Sequence, residues 1–245
     1  MAEPSAIDVP ALLGECWDLV RANLPKTLSL RREITWKPDG SPVTKADYWH
    51  EELIGGFLKE RLPDLLLVAE ESYVPGMDLT TRWMAILDPI DGTENFCSGL
   101  REWGVALSIW HDGEHKGSAL MLPELGDAIL TGNAVEKFHS RVVGLSSSYN
   151  AEIGQIIADN PESRIMGCAV YNAYNVIRGT FARFVNPKGA YAWDLQAGVS
   201  LAAEHGCEVH LEGELYRGQL LAPDRRHRVD IRHRYDLHPG QGSVG

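Results

Sequence analysis

Apolar residues recur at helical spacing between Ala11 and Leu24, at Leu12, Leu13, Cys16, Trp17, Val20 and Leu24, and Pro25 follows. The pattern predicts a first helix ended by that proline. After the loop KPDGSPV, Thr44 and Asp47 have the T-x-x-D spacing of a capping box, with Leu53, Ile54, Phe57 and Leu58 behind them on one face. A second helix is predicted from there, closed by Pro63. Two short apolar runs, LLLVAEES and RWMAILD, read as buried strands that each run out into carboxylates. Between Gly104 and Thr131 two strand-like runs flank HDGE, whose Asp-Gly favours a tight turn, and a third follows PELGD. This stretch reads as an antiparallel meander.

Beyond Arg141 the texture changes to alternation. Strand RVVGLSS, a helix over 151–159, strand RIMGCAV, a helix through Tyr174 to Arg178, strand FARFV, helix DLQAGVSLAAEHG and strand CEVHL follow in turn. The expectation is an α/β (α+β) chain forming one domain over 1–245, with an α+β lobe over about 1–140 and an α/β lobe over about 141–245.

With 44% apolar and 23% charged residues, disordered and fibrous classes drop out. No run approaches the roughly 20 apolar residues of a membrane span, and the first ten residues have neither a basic region nor an apolar signal core. A cytoplasmic protein that does not engage membranes is expected. Cys16, Cys97, Cys168 and Cys207 form no CxxC pair and read as reduced thiols. A net charge of -11 opposes a nucleic-acid partner, so any phosphate chemistry needs a local device. The Arg/His-rich segment 224–238 is interleaved with Asp224, Asp230 and Asp236 and reads as a solvated strand and tail.

The chemistry concentrates in WMAILDPIDGTENF, residues 83–96, where Asp88 and Asp91 follow an apolar run. Burial and like charge each raise a carboxylate pKa, so two such groups stay ionised together only around something positive. A divalent cation satisfies this. Pro89 constrains the turn so that Asp91 returns toward Asp88, and the Ile90 carbonyl adds an oxygen ligand. Oxygen-only ligation suits Mg²⁺. Gly92 and Thr93 open a helix whose first N–H groups would cradle an anion. Alternatively Asp88 is a helix cap and Asp91 a first-turn residue. Glu70 and Glu71 at another strand end, and Asp194 at a helix start, favour the metal reading.

VAEES (68–72), DPIDGTENF (88–96) and WDLQAG (193–198), in that order, resemble the inositol monophosphatase family, whose superfamily also holds fructose bisphosphatases and bisphosphate nucleotidases. DGSPVTKAD (39–47) and GCAVYN (167–172) extend the resemblance, which covers roughly residues 35–205. It implies a layered α/β/α/β/α sandwich, a homodimer, and a Mg²⁺-dependent phosphatase of a small phosphorylated metabolite. Glu70, Asp88 and the Ile90 carbonyl would hold one ion, Asp88, Asp91 and Asp194 a second, and a third would lean on Glu70. Gly92 and Thr93 would bind phosphate. Asp47 and Thr93, counted with Glu70 as catalytic, would orient or activate the attacking water. Gly167, Cys168 and Ala169, with Asp91 and Asp194, would face the substrate.

Glu71, beside Glu70 on an extended strand, is expected to point the other way. Where the family carries an inositol-contacting Glu, this chain has Asn186 or Pro187, so the inositol contact is not carried over. Lys188 and Arg183 could meet a second anionic group, as in a bisphosphate, or be solvated loop charges. A bisphosphate nucleotidase and a non-catalytic phosphate-ligand binder of the same fold are the alternatives. A Ser/His/Asp hydrolase has no G-x-S-x-G to support it.

Overall fold

The computed structural model describes residues 7–147 and 150–235. The chain opens with α1 (Val9–Ser29), a small hairpin of β1 (Ile34–Trp36) and β2 (Pro42–Thr44), and α2 (Lys45–Lys59). Then come β3 (Leu66–Ala69), β4 (Trp83–Asp91), the short α3 (Thr93–Cys97), β5 (Gly104–His111), β6 (Glu114–Leu122) and β7 (Asp127–Leu130). The second half holds β8 (Val143–Leu145), α4 (Ala151–Asp159), β9 (Ser163–Ile165), α5 (Ala169–Arg178), β10 (Arg183–Ala190) and α6 (Ala192–Glu204). It closes with β11 (Glu208–Leu211), β12 (Glu214–Leu215) and β13 (His227–Arg232). Among the described residues no helix is long and apolar enough to cross a membrane.

Strands β3 to β7 form one sheet in sequence order, parallel between β3 and β4 and antiparallel beyond; the second sheet runs β12-β11-β13-β10-β8-β9. The layers follow from side-chain alternation. In β4, Ala85 and Leu87 face the core shared with α1 and α2, while Met84 and Ile86 face the core shared with α5, α6 and the second sheet. A strand buried on both faces has to be apolar throughout, as this one is until Asp88. On the far side of the second sheet Ile153 of α4 packs on Val143, Leu145 and Val185. The result is the five-layer α/β/α/β/α sandwich that the family resemblance implies.

Several local expectations needed correction. Helix α1 does not stop at Pro25 but runs through it to Ser29. The proline removes one backbone hydrogen bond, but Asn23 Nδ2 donates to the Leu19 carbonyl at 2.9 Å and Thr27 Oγ1 to the Asn23 carbonyl at 3.2 Å. Leu24, Leu28 and Leu30 meanwhile pack on the core of the first sheet. The packing of these half-buried leucines and the two side-chain bonds together offset the cost of the proline. Of RIMGCAV only the first two residues are strand; Gly167, at φ +69°, turns the chain into α5 at Ala169. The Arg/His-rich stretch is not a solvated strand. β13 lies between β10 and β11 with His227, Val229 and Ile231 buried, and residues 236–238 of that segment lie outside the described residues.

Strand β4 runs past the expected end at Asp88. Its pairing with β5 shifts between Asp88 and Asp91, so Pro89 and Ile90 form a bulge, the place in a sheet where a proline is tolerated. His50, wholly buried on α2, sits against this bulge with Nδ1 3.0 Å from the Pro89 carbonyl. A carbonyl only accepts, so Nδ1 carries the proton. Nε2 is buried with no partner.

Burial therefore holds His50 neutral and lowers its pKa from 6.5 to about 4. The unfolded chain takes up a proton that the fold refuses, so stability is lost as pH falls from 6.5 toward 4, by about 3 kcal/mol at most. Denaturant unfolding of wild type and His50→Leu checks this: the wild-type advantage from the Pro89 contact shrinks by more than about 1 kcal/mol between pH 7 and pH 4.5. A constant difference would contradict it.

Candidate active site

Four chain segments bring carboxylates to one end of the first sheet. Asp88 and Asp91 flank the β4 bulge, Asp194 opens α6, Asp47 opens α2, and Glu70 follows β3. Asp88 and Asp91 are buried and Asp194 half-buried, and one oxygen from each of the three lies within 4.8 Å of the others. Asp88 Oδ1 accepts from the Ile90 N–H at 3.0 Å, whereas Oδ2 is buried without a partner. Asp91 Oδ2 accepts from the Val170 N–H at 2.5 Å and the Cys168 thiol at 3.0 Å. Asp194 Oδ2 accepts from the Tyr191 N–H at 2.6 Å.

Burial raises the pKa of Asp88, and the charges of Glu70, Asp91 and Asp194 raise it further. Burial likewise raises Asp91 and Asp194. An unpaired buried carboxylate costs several kcal/mol unless it is neutralised. Three converging carboxylates, one with an orphaned oxygen, are therefore a donor set that fits a hard divalent cation. The Ile90 carbonyl lies in the bulge between the two aspartates and accepts from Thr93 Oγ1 at 3.0 Å.

Asp47 has two duties on its two oxygens. Oδ2 completes the capping box of α2, accepting from Thr44 N at 2.8 Å and Thr44 Oγ1 at 2.6 Å. Oδ1 lies 3.1 Å from Thr93 Oγ1. Burial pushes Asp47 up to about 6. Thr93 has one hydroxyl proton for two acceptors, the Ile90 carbonyl and ionised Asp47, so it can serve only one of them at a time.

Gly92 caps α3 at φ +82°, and a Cβ there would fall 2.9 Å from Cys168 Cβ. Glycine is thus required both by the backbone conformation and by the approach of α5. Gly167 and Cys168 lie against this turn, and Cys168 and Ala169 line a cavity of about 140 Å³ with Asp91, Asp194 and Arg226.

Glu70 is not part of the 4.8 Å group and lies with Asp194 on the wall of a wider cleft of about 540 Å³. Its carboxylate is 2.9 Å from Lys37 Nζ, which also meets Glu71 at 2.8 Å. Glu71 therefore does not point away. β3 ends at Ala69 and residues 70–71 turn, so strand alternation no longer applies and both carboxylates reach one lysine. Burial alone would lower the Lys37 pKa, but Glu70 and Glu71 raise it and keep it protonated. Burial, and then Glu70, raise Glu71 to about 7.

Sequence reasoning passed over two residues. Lys37 opens the KPDGSPV loop, and its charge beside an acidic site was the available signal. Asn95 donates to the carbonyls of Glu102 and Met166, at 2.7 and 2.6 Å, and so ties α3 to the turn before α5; an asparagine inside DPIDGTENF gave no sign of this. Arg183, a candidate for a second anion, is bound by Asp230 at 2.8 and 2.7 Å on the far side of the second sheet. It lines a separate cleft, also of about 540 Å³, whose Arg228 and Glu152 pair with each other. Lys188 is exposed and lines neither compartment of the carboxylate site.

Residues 6–156 match the model of the inositol monophosphatase family. The chain is similar to an inositol-1-monophosphatase of Rhizobium meliloti, 26% identical over 198 residues, which cover 71% of this chain and 73% of that one. A histidinol-phosphatase of Streptomyces coelicolor is 36% identical over 98 residues, 40% of this chain and 35% of that one. Among solved structures, an IMPase/NADP phosphatase complexed with Mg²⁺ and phosphate shares the fold at TM-score 0.73 and 19% identity, over 92% of this chain and 90% of that chain.

The orphaned Asp88 carboxylate has a measurable consequence in chelator. A raised folded-state pKa means that its contribution to stability is greatest at low pH and is lost as pH rises through that pKa. Asp88→Asn keeps the acceptor for Ile90 and removes the charge, so in EDTA the variant is the more stable protein at pH 8, by about 1–3 kcal/mol, and the gain shrinks at pH 5. Thermal unfolding checks it: Mg²⁺ raises the wild-type midpoint and leaves that of Asp88→Asn nearly unmoved. A variant less stable than wild type at pH 8 in EDTA would refute the orphan-charge account.

Proposed function

The chain belongs to the inositol monophosphatase family of phosphatases, and from that premise we propose that it hydrolyses a small phosphorylated metabolite in a Mg²⁺-dependent reaction, by direct attack of water on phosphorus. The observation that carries this reading is the convergence of Asp88, Asp91 and Asp194, one of which, Asp88, also has a buried carboxylate oxygen with no hydrogen-bond partner. Glu70, Asp88, Asp91, Asp194 and the Ile90 carbonyl are the groups that would hold Mg²⁺, as two or three ions. Bound there, Mg²⁺ supplies Lewis acidity, acidifying water and offsetting charge on the leaving oxygen.

The protein's own groups do the rest. The first N–H groups of α3, at Gly92 and Thr93, have no acceptor within the helix and in this reading bind phosphate oxygens. When Asp47 is ionised, Thr93 Oγ1 donates to its Oδ1 and turns its lone pairs to the attacking water. As the new O–P bond forms and the ester P–O bond breaks, the water's proton passes along this pair to Asp47, and the alcohol takes its proton from solvent. In this reading Thr93, whose hydroxyl lies between the Ile90 carbonyl and Asp47, relays a proton and is not the nucleophile. Nor is Cys168: burial, and then Asp91, raise its thiol pKa well above the usual value and keep it protonated. Asp91, Asp194, Gly167, Cys168 and Ala169 form the substrate side of the reading.

Phosphate release from inositol monophosphate, histidinol phosphate, fructose bisphosphate and a nucleoside bisphosphate, with Mg²⁺ or EDTA, tests the reading. Turnover of at least one member is expected with Mg²⁺ only, and Asp91→Asn abolishes it while circular dichroism stays native. Hydrolysis unchanged in EDTA would overturn the metal assignment.

Asp47 acts as a carboxylate, so activity is lost as pH falls through its pKa. That value is about 6 without metal, and a nearby cation lowers it, so the acid limb of kcat lies at or below pH 6. Asp47→Asn removes this limb and lowers kcat by about 10²- to 10⁴-fold; a variant with wild-type kcat would exclude the relay.

A further inference from the structure

One wall of the carboxylate cleft has no part in holding cations or cradling phosphate. Tyr191, just ahead of α6, stacks on Trp193 with ring centroids 4.8 Å apart and planes 24° apart, and Trp193 meets Tyr73 at 5.6 Å. The guanidinium of Arg226 lies over the Tyr191 ring, with Cζ 4.6 Å from its centroid, and Nη1 donates to the Gly189 carbonyl at 3.2 Å. Stacking and one hydrogen bond fix a planar fork that would otherwise lose side-chain freedom on binding.

The backbone is built to bring this arginine in. Gly189 has φ +84°, and a Cβ there would stand 3.0 Å from the His227 carbonyl carbon and 3.2 Å from Arg226 Cβ. Only glycine lets the segment carrying Arg226 lie this close to β10, where Ala190 pairs with His227. Arg226 consequently lines both compartments of the site. It borders the small cavity with Asp91, Cys168 and Asp194, and the wide cleft with Glu70, Tyr73 and Trp193.

Three arginines of β10 and β13 are matched to carboxylates: Arg183 and Arg232 to Asp230, Arg228 to Glu152. Lys37, the other cation of the wide cleft, is committed to Glu70 and Glu71. Among the described residues no carboxylate lies within ion-pair distance of Arg226, and only one of the five N–H groups of a guanidinium is engaged, by Gly189. Its remaining donors face a cleft whose floor is the proposed reaction centre. Glu70, Asp194 and Asp224 line the same cleft and offer acceptors, which suit hydroxyl groups. A fork of donors fits an anion instead, and phosphate and carboxylate both match it in two-point contact.

We propose that Arg226 is a specificity-determining residue that binds a second anionic group, phosphate or carboxylate, on the leaving-group part of the substrate, so that doubly anionic phosphomonoesters are preferred. This rests on the phosphatase reading above. It transfers the second-anion role from Arg183 and Lys188 to a residue of the Arg/His-rich segment.

Matched pairs test it: fructose 1,6-bisphosphate against fructose 6-phosphate for a second phosphate, and 3-phosphoglycerate against glycerol 3-phosphate for a carboxylate. With Mg²⁺, wild type favours the doubly anionic member of at least one pair by about tenfold or more in kcat/KM. Arg226→Gln removes the preference through KM, leaves kcat and the singly anionic partner within about twofold, and Arg226→Lys recovers part of it. The pair that responds distinguishes the phosphate from the carboxylate source. No wild-type preference in either pair, or an equal loss for both members of a pair in Arg226→Gln, overturns the proposal.

Calorimetric titration of the same pairs into Ca²⁺-loaded protein repeats the comparison without turnover. If no pair is hydrolysed, the phosphatase reading fails on these substrates. Tighter binding of a doubly anionic member that Arg226→Gln abolishes still supports the anion site, and its absence overturns it.

Discussion

Negative charge gathered at a largely buried point is the constraint on which the rest of this structure depends. Asp88, Asp91 and Asp194 share one small volume, and Asp88 leaves an oxygen there with nothing to bond. A sheet does not present two carboxylates of one strand to a single point unless its register is broken, and the Pro89–Ile90 bulge breaks it. His50 holds that bulge through the Pro89 carbonyl, Gly92 turns the chain out of it, and Asn95 ties the next turn to the start of α5. Much of the surrounding polar architecture thus serves to keep a destabilising arrangement in place, as expected where a site is organised for a ligand rather than for stability.

Helix starts perform double duty in this arrangement. Asp47 and Asp194 each stand at the third position of a helix and each use one oxygen to accept from the residue that precedes it, Thr44 N and Tyr191 N. That bond fixes the rotamer. The other oxygen of Asp47 then meets Thr93, and the Asp194 carboxylate lies within 4.8 Å of those of Asp88 and Asp91. The choice between a capping carboxylate and a functional one is therefore not exclusive, because a carboxylate has lone pairs enough for both.

Legibility in the sequence followed the range of the interactions involved. The meander, the capped second helix, the α/β alternation and the pairing of Asp88 with Asp91 depend on neighbours a few residues away, and periodicity or motif pointed to them. The readings that failed depend on distant packing. Pro25 is carried inside α1 because leucines beyond it bury against the first sheet; Glu71 reaches Lys37 because the strand ends one residue before Glu70. In 227–232 the inward alternation of His227, Val229 and Ile231 was present, but the intervening charges masked it, and nothing local says that the strand inserts between β10 and β11.

The two halves of the site therefore differ in kind. The catalytic half is set largely within one short segment, so its chemistry is legible in the local sequence. The substrate wall joins Gly189 and Tyr191 to Arg226, more than thirty residues apart, through the pairing of Ala190 with His227. A substitution at Arg226 would alter that wall without touching the β4 bulge that brings Asp88 and Asp91 together. Selection among phosphoesters can then change on this wall, while the clustered carboxylates remain held by their own bulge and helix starts.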